Sequence, residues 1–309
     1  MIQKLCIVGG GLIGTSIIRN ARDQGLAATI TVFDNSVDHR TKLRDLGYAH
    51  HTPDTIQSAV NGADLVILCV PVGSMGVAAS LVAPHLKTGA IVSDVGSTKG
   101  SILKELQAEL PETVHIVPGH PVAGSEKSGP ASALMGLFRD RWCILTPPID
   151  ANAMAVDTVI KFWRGLGSMV TVMDAEHHDK VLGMTSHLPH LIAYAMVGTA
   201  KNFESITDSE VIKFSAGGFR DFTRIAASDP TMWRDVFLKN KDTMLELLND
   251  FRRDLNILET AIENEDGVYL HQFFTRTQDV RREIVDAKMA SGPDYFGPET
   301  PLRPPYNMD

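Results

Sequence analysis

The chain is poor in cysteine, has no surplus of positive charge and contains no apolar run of membrane-spanning length, and each absence removes a class of function. Only three cysteines occur in 309 residues, Cys6, Cys69 and Cys143. All three lie in apolar, strand-like runs without metal-ligand spacing. They read as small core residues of a protein kept in a reducing compartment, with no disulfide expected. Acidic residues outnumber basic ones, 37 to 29, for a net charge of −8. With no basic stripe, this argues against a nucleic-acid or anionic membrane partner and leaves solubility as the plain meaning of the charge. The apolar start mimics a signal peptide, but glycines interrupt it too early, and no later run suffices for a bilayer. There is no internal repeat or flexible interdomain linker. The expectation is a cytoplasmic protein long enough for two domains with ample core.

What is present begins with Lys4-Leu5-Cys6-Ile7-Val8, a buried-strand run, followed by Gly9-Gly10-Gly11-Leu12-Ile13-Gly14 and a helix-like stretch to about Gln24. This is G-x-G-x-x-G in its proper context. Gly9 permits a tight turn, Gly11 lets the backbone approach a pyrophosphate, and Gly14 lets the helix pack closely on the strand. A second strand, Thr29 to Phe33, ends in Asp34, twenty positions after Gly14. Its carboxylate can accept hydrogen bonds from the adenine ribose of NAD and would repel the extra phosphate of NADP. A glycine fingerprint alone is weak evidence; strand, fingerprint, helix, strand and acid in that order point to NAD. FAD, or a remnant that binds nothing, is the alternative. Leu12 and Ile13 in the turn, and Val70 and Pro71 at the end of a later strand, complete the expected cofactor-binding set.

Strand and helix signals alternate through residue 173: a helix near His39 to Leu46, strands at Ala63 to Pro71, Ala90 to Val95 and Thr113 to Val117, and two more at Trp142 to Leu145 and Met169 to Val172. A helix spans about Asn152 to Leu166. The strand ending at Val95 runs into Gly96-Ser97-Thr98-Lys99-Gly100, small and hydroxyl residues at a strand's carboxyl end. After Thr113 to Val117 comes Gly119-His120-Pro121-Val122-Ala123-Gly124-Ser125-Glu126, which puts His120 in a loop at the sheet edge where ligands bind in open α/β folds. His120 is therefore a catalytic candidate, set against the bland reading of a surface-loop histidine.

From Asp174 onward helices dominate. The expected fold is an α/β, Rossmann-type dinucleotide-binding domain over 1–173, followed by an all-α domain over 174–309. Asp174 can cap a helix containing His187-Leu188-Pro189-His190, which Pro189 should kink, freeing backbone groups near both histidines. Asp229-Pro230 reads as a cap and first-turn proline. Met244, Leu247, Leu248, Phe251, Leu255, Leu258 and Ile262 recur at helical spacing, and Phe273, Phe274, Val280 and Ile284 suggest a further helix. Such stripes are core or subunit interface rather than a cofactor box. The tail from Ser291 carries Pro293, Pro298, Pro301, Pro304 and Pro305 and should be an extended arm or disordered.

One more segment, Gly217-Gly218-Phe219-Arg220-Asp221-Phe222-Thr223-Arg224 through Asp235, makes the set specific. Together with the glycine fingerprint, Asp94 to Lys99, His120 to Gly124 and Ser186 to His190, it resembles the prephenate/arogenate dehydrogenase family of tyrosine biosynthesis, in order from residue 1 to about 290. The resemblance implies an NAD(P)-dependent oxidative decarboxylation. His120 would then hydrogen-bond the substrate's C4 hydroxyl, and Ser97 would orient His120 or the same hydroxyl. Arg224 would grip a carboxylate with its planar fork. His190 would be a second substrate ligand, and Ser125, Glu126, Asp221 and Trp233 would line or gate the pocket. His187 reads as structural, Arg220 and Arg234 as ion-paired, and no third ligand accompanies the histidines to make a metal site. The family also implies a homodimer formed through the helical domains. The expectation is that no chorismate mutase domain precedes the chain and that no room follows residue 290 for a regulatory domain, so that feedback by tyrosine would act at or near the site. Two other classes are weighed. A β-hydroxyacid dehydrogenase would need a catalytic lysine, for which Lys201-Asn202 is a superficial candidate; a non-enzymatic NAD sensor would not need His120, Ser97 and Arg224 together.

Overall fold

The computed structural model describes residues 2–125, 127–207, 213 and 215–286. Its packing divides the chain into two compact units, Met1–Leu247 and Leu248–Asp309. In the first, β1 (Ile2–Val8), β2 (Ala27–Phe33), β3 (Leu65–Leu68), β4 (Ile91–Asp94) and β5 (His115–Ile116) form a parallel sheet in the order β2-β1-β3-β4-β5. β2 and β3 flank β1 on opposite sides, so the strand order reverses at β1, and the carboxyl ends of β1 and β3 open the crevice where such sheets bind ligands. β3 and β4 are buried throughout, as expected of parallel strands covered on both faces.

The cover comes from α1 (Leu12–Asp23), α2 (Val37–Leu46), α3 (Ile56–Val60), α4 (Met75–Val82), α5 (Gly100–Glu109) and α6 (Ala153–Gly165). Local chemistry starts several of them. The Ser36 side chain accepts from His39 N, and the Asn152 side chain accepts from Met154 N and Ala155 N, satisfying amides that the first turn leaves without carbonyl partners. One face of the sheet packs Ile7, Ile17 and Ile30 with Phe138 and Trp163; the other packs Leu68, Met75 and Leu106 with Trp233 and Val236.

A second sheet carries β6 (Gly119–Pro121), β7 (Trp142–Leu145) and β8 (Met169–Val172), with β6 antiparallel to β7 and β7 parallel to β8. Here the structure corrects the sequence reading: His120 lies within β6, opposite Ile144, and not in a loop. Pro118, with no amide to donate, ends the pairing of the preceding segment with β4, and its carbonyl instead accepts from Thr146 N at 2.9 Å. The strand from Ala63 to Pro71 is also shorter than expected, because Cys69 N makes a last bond to Val8 O and the chain then leaves the sheet.

The helical part of this unit comprises α7 (Ala175–Leu182), a π-helical turn at Gly183–His187, α8 (Leu188–Thr207), α9 (Gly217–Thr223), α10 (Pro230–Lys239) and the start of α11 (Lys241–Glu263). Asp174 caps α7 through Glu176 N and His177 N, and Asp229 caps α10 through Met232 N. Ahead of Pro189 the helix carries a π-helical turn. Pro189 cannot donate back to Thr185, and the wider turn immediately precedes it. The second unit holds the rest of α11 and α12 (Gly267–Asp286). Packing thus divides the chain later than the change of element type at Asp174. No helix of the described residues is long and apolar enough to cross a membrane. Glu126 and the proline-rich tail lie outside the described residues.

Candidate active site

The three fingerprint glycines differ in what surrounds them. Gly9 has φ +102°, and a Cβ there would come within 2.3 Å of the Cys69 carbonyl oxygen; a Cβ on Gly14 would lie 2.0 Å from the Gly9 carbonyl oxygen. Gly11 instead faces open space, with no atom within 4 Å of the position of a Cβ. Two glycines let strand and helix close together, and the third leaves room for a ligand. Gly11 offers α1 no side-chain cap, so the first-turn amides of Leu12 and Ile13 form a positive helix end suited to a pyrophosphate. Asp34 closes β2, buried, accepting from Gly10 N at 2.8 Å and Ser36 N at 2.9 Å, with His39 Nδ1 at 3.3 Å. Arg40 is turned to the Asp34 and Asn35 carbonyls and to Asp54, and Val70 and Pro71 sit where the chain leaves β3. These residues fit NAD.

On the far side of β4 a chain of buried groups ends at His120. The carboxylate of Asp179 accepts from Lys99 N at 2.7 Å and Gly100 N at 2.8 Å, and His178 Nδ1 lies 2.9 Å from its Oδ1. His178 Nε2 in turn lies 2.8 Å from His120 Nδ1. A carboxylate only accepts, so the proton between Asp179 and His178 belongs on His178 Nδ1. Neutral His178 then accepts at Nε2 the proton carried by His120 Nδ1. The network leaves a lone pair on His120 Nε2. Asn240 supports the same group by donating to the Asp179 carbonyl at 3.0 Å and lies 3.2 Å from His187 Nδ1.

Electrostatics keep these rings neutral. Burial pushes the His120 imidazole well below its ordinary value of 6.5, and the Lys99 ammonium adds to the shift. Burial lowers His178 against the opposing Asp179 carboxylate, and brings His187 down to about 4. His190 is lowered by burial and, after the opposing bond to Ser186, by the Arg224 charge. The cysteines behave as core: all three thiols are unpaired, and burial raises Cys6 to about 11 and Cys69 and Cys143 well above their ordinary value.

Two of the expected substrate ligands, His190 and Trp233, form an aromatic stack. His190 Nδ1 meets the Ser186 carbonyl at 2.8 Å, and its ring stacks on Trp233 at 3.7 Å between centroids. His187 packs edge-on against the same indole, which supports its structural reading. Arg224 opens the short turn Arg224–Ala227, fastened to α8 by the Tyr194 hydroxyl, which donates to the Ser228 carbonyl at 2.7 Å. Ser97 is half-buried in the loop after β4, where its carbonyl faces His187. Ser125 lies beyond β6, accepting from Lys127 N, and Asp221 is exposed on α9; neither has a side-chain bond to the histidine group among the described residues. Arg234 pairs with Asp235, and Lys201 lies exposed on α8 beside Glu204. Sequence reasoning missed His178, Asp179, Lys99 and Asn240. The adjacent His178-Asp179 pair, just after the Asp174 cap, was the available signal.

Residues 17–172 match the family model for the nucleotide-binding domain of prephenate dehydrogenase, and residues 174–276 match that for its dimerization domain. The chain belongs to the prephenate dehydrogenase family. A cyclohexadienyl dehydrogenase of Zymomonas mobilis is 42% identical over 281 residues, 91% of this chain and 96% of that protein. A prephenate dehydrogenase of Bacillus subtilis is 34% identical, over 96% of this chain and 80% of that protein. The crystal structure of prephenate dehydrogenase from Aquifex aeolicus, in complex with hydroxyphenyl propionate and NAD+, superposes with a TM-score of 0.86 at 34% identity, covering 92% of this chain and 99% of that one. Like the prephenate dehydrogenases it resembles, the chain is an NAD-dependent oxidoreductase with a Rossmann-like domain and a helical one.

Proposed function

We propose that this protein oxidises the ring of prephenate, of its amino counterpart arogenate, or of both, with NAD as hydride acceptor, and that His120 accepts the proton of the C4 hydroxyl. The observation that carries the reading is the Asp179–His178–His120 chain, which fixes the tautomer of a neutral imidazole whose free Nε2 is a base. The relatives that carry these activities in their names support the substrate class. NAD, when bound, supplies a place for the hydride that leaves C4.

The protein's own groups handle the proton and the carboxylates. As hydride leaves C4, His120 Nε2 holds the hydroxyl proton, and the imidazolium is steadied by His178 and through it by Asp179. Loss of CO2 from C1 returns an electron pair to the ring oxygen, which takes the proton back. The products are 4-hydroxyphenylpyruvate, or tyrosine from arogenate, with CO2 and NADH. Atoms and charge balance with no net proton released. Ser97 orients His120 or the reacting hydroxyl. Arg224 grips a substrate carboxylate, and His190, held by Ser186 and stacked on Trp233, is a second ligand. Ser125 and Asp221 would add to the pocket wall. We place the functional division between a cofactor domain and a helical domain at residues 173 and 174. We also infer a homodimer, in keeping with the dimerization-domain match and the exposed Leu255, Ile257, Ile262, Val268 and Phe274 on α11 and α12.

Parallel steady-state assays with prephenate and arogenate, each with NAD, test the proposal. It predicts NADH and CO2 in equal amounts from at least one of them. NADH formation from neither substrate contradicts it.

A further inference from the structure

Lys99 has no step in the proton path, yet its side chain is 0% exposed and ranks among the largest fully buried groups of the molecule. An ammonium out of water is costly unless paired and hydrogen-bonded, so its place demands a cause. Its Nζ lies 2.5 Å from Asp94 Oδ2 and donates to the Gly119 carbonyl at 2.7 Å. The other oxygen of Asp94 accepts from Gly119 N at 3.2 Å, and Oδ2 also accepts from Gly96 N. Both backbone groups of Gly119, the residue before His120, are thus tied to one buried ion pair. The backbone amide of Lys99 holds Asp179, the carboxylate that begins the histidine chain. One residue grips both ends of the proton-accepting unit.

We propose that Lys99 is a positioning residue for the proton acceptor: its ammonium, clamped between Asp94 and the Gly119 carbonyl, locks the backbone that carries His120 and holds a positive charge against the residue that precedes it. The inference rests on His120 being the base, which a His120 variant tests separately. The groups around His120 are His178 and His187 from the helical segment and Lys99 from the loop after β4, with Asp179 behind His178, Asp94 at the preceding Gly119, and Cys143 on β7 opposite Pro121. Among them only the two carboxylates favour an imidazolium, and Lys99 neutralises Asp94. Without Lys99, a positive charge that opposes protonation of His120 is gone and the Asp94 carboxylate is left unmatched.

The test is the pH dependence of kcat/KM for the substrate, with NAD saturating, in the parent, in Lys99→Met and in Lys99→Met/Asp94→Asn. The double variant removes the pair together, so that no buried charge is left alone to unfold the protein. The acid limb should move to higher pH by at least about half a unit in Lys99→Met and by less in the double variant. A lysine that merely fills space would lower kcat and leave the limb in place. An unmoved limb in either folded variant overturns the proposal. So does a His120 imidazole that titrates, by NMR in the parent protein, at or above the free value of about 6.5.

Discussion

An imidazole accepts a proton only while neutral, and at His120 burial, first, and the Lys99 ammonium oppose protonation. The acid limb of kcat/KM should therefore lie below the free histidine value of about 6.5, activity rising with pH as His120 loses its proton and levelling above. A limb above that value in a pH profile would contradict the assignment. At Arg224 the expectation concerns binding. A hydrogen bond to a charged partner contributes roughly 1.5 to 3 kcal/mol, so Arg224→Ala should raise the substrate KM about ten- to a hundredfold while the KM for NAD hardly moves. Lysine at 224 should restore only part of this, since a point charge cannot reproduce a bidentate fork. Equal weakening of both ligands would make the arginine structural. At Asp34 the carboxylate is held by two backbone amides, and Arg40, the nearest arginine on α2, is committed to backbone carbonyls. NAD should be preferred over NADP at least tenfold in kcat/KM, about 1.4 kcal/mol, and equal use of NADP would refute this.

The glycine loop and α1 give a paired test at the scale of elements. Gly11→Ala adds a methyl group to open space, so it should leave Tm near the parent value yet weaken NAD binding more than tenfold by crowding the pyrophosphate. Gly14→Ala drives a methyl into the Gly9 carbonyl and forces α1 away from β1, so it should lower both Tm and NAD affinity. Thermal melts and NAD titrations of the two variants check this; identical behaviour would mean that the glycines are not divided between packing and ligand approach. These elements were legible because local chemistry writes them: a buried-strand run, the fingerprint, and the Asp174 and Asp229 caps. β6 was not. Gly119-His120-Pro121 has no strand propensity of its own, and it becomes a strand only because β7 supplies a partner far along the chain. The π-helical turn escaped as well, since Pro189 reveals only that a bond is missing. Lys99, His178 and Asp179 look in sequence like solvated charges. Their burial is a property of the assembled unit.

Over the whole first unit, the lowered histidines couple folding to pH. His120, His178, His187 and His190 all sit below the free value when folded. Between their folded values and about 6.5 the unfolded chain holds more protons, so stability is complete above about 6.5 and falls as pH drops through that window. His187, brought down to about 4, accounts by itself for roughly 3 kcal/mol of the loss once pH is below its folded value. Denaturant unfolding at a series of pH values should show this decline, and a flat profile from pH 7 to 5 would contradict the burial of neutral rings. In sedimentation the protein should run at about twice the chain's 33.7 kDa, and a monomer at micromolar concentration would contradict the proposed homodimer. The central claim is that His120 is the proton acceptor of a dehydrogenase built on this fold. Steady-state turnover of prephenate or arogenate by His120→Asn, read together with NAD titration of the same variant, tests it most directly. The account predicts kcat reduced about 10² to 10⁴-fold with NAD affinity intact, the usual worth of a positioned acid or base. A variant that keeps near-parent kcat would contradict it.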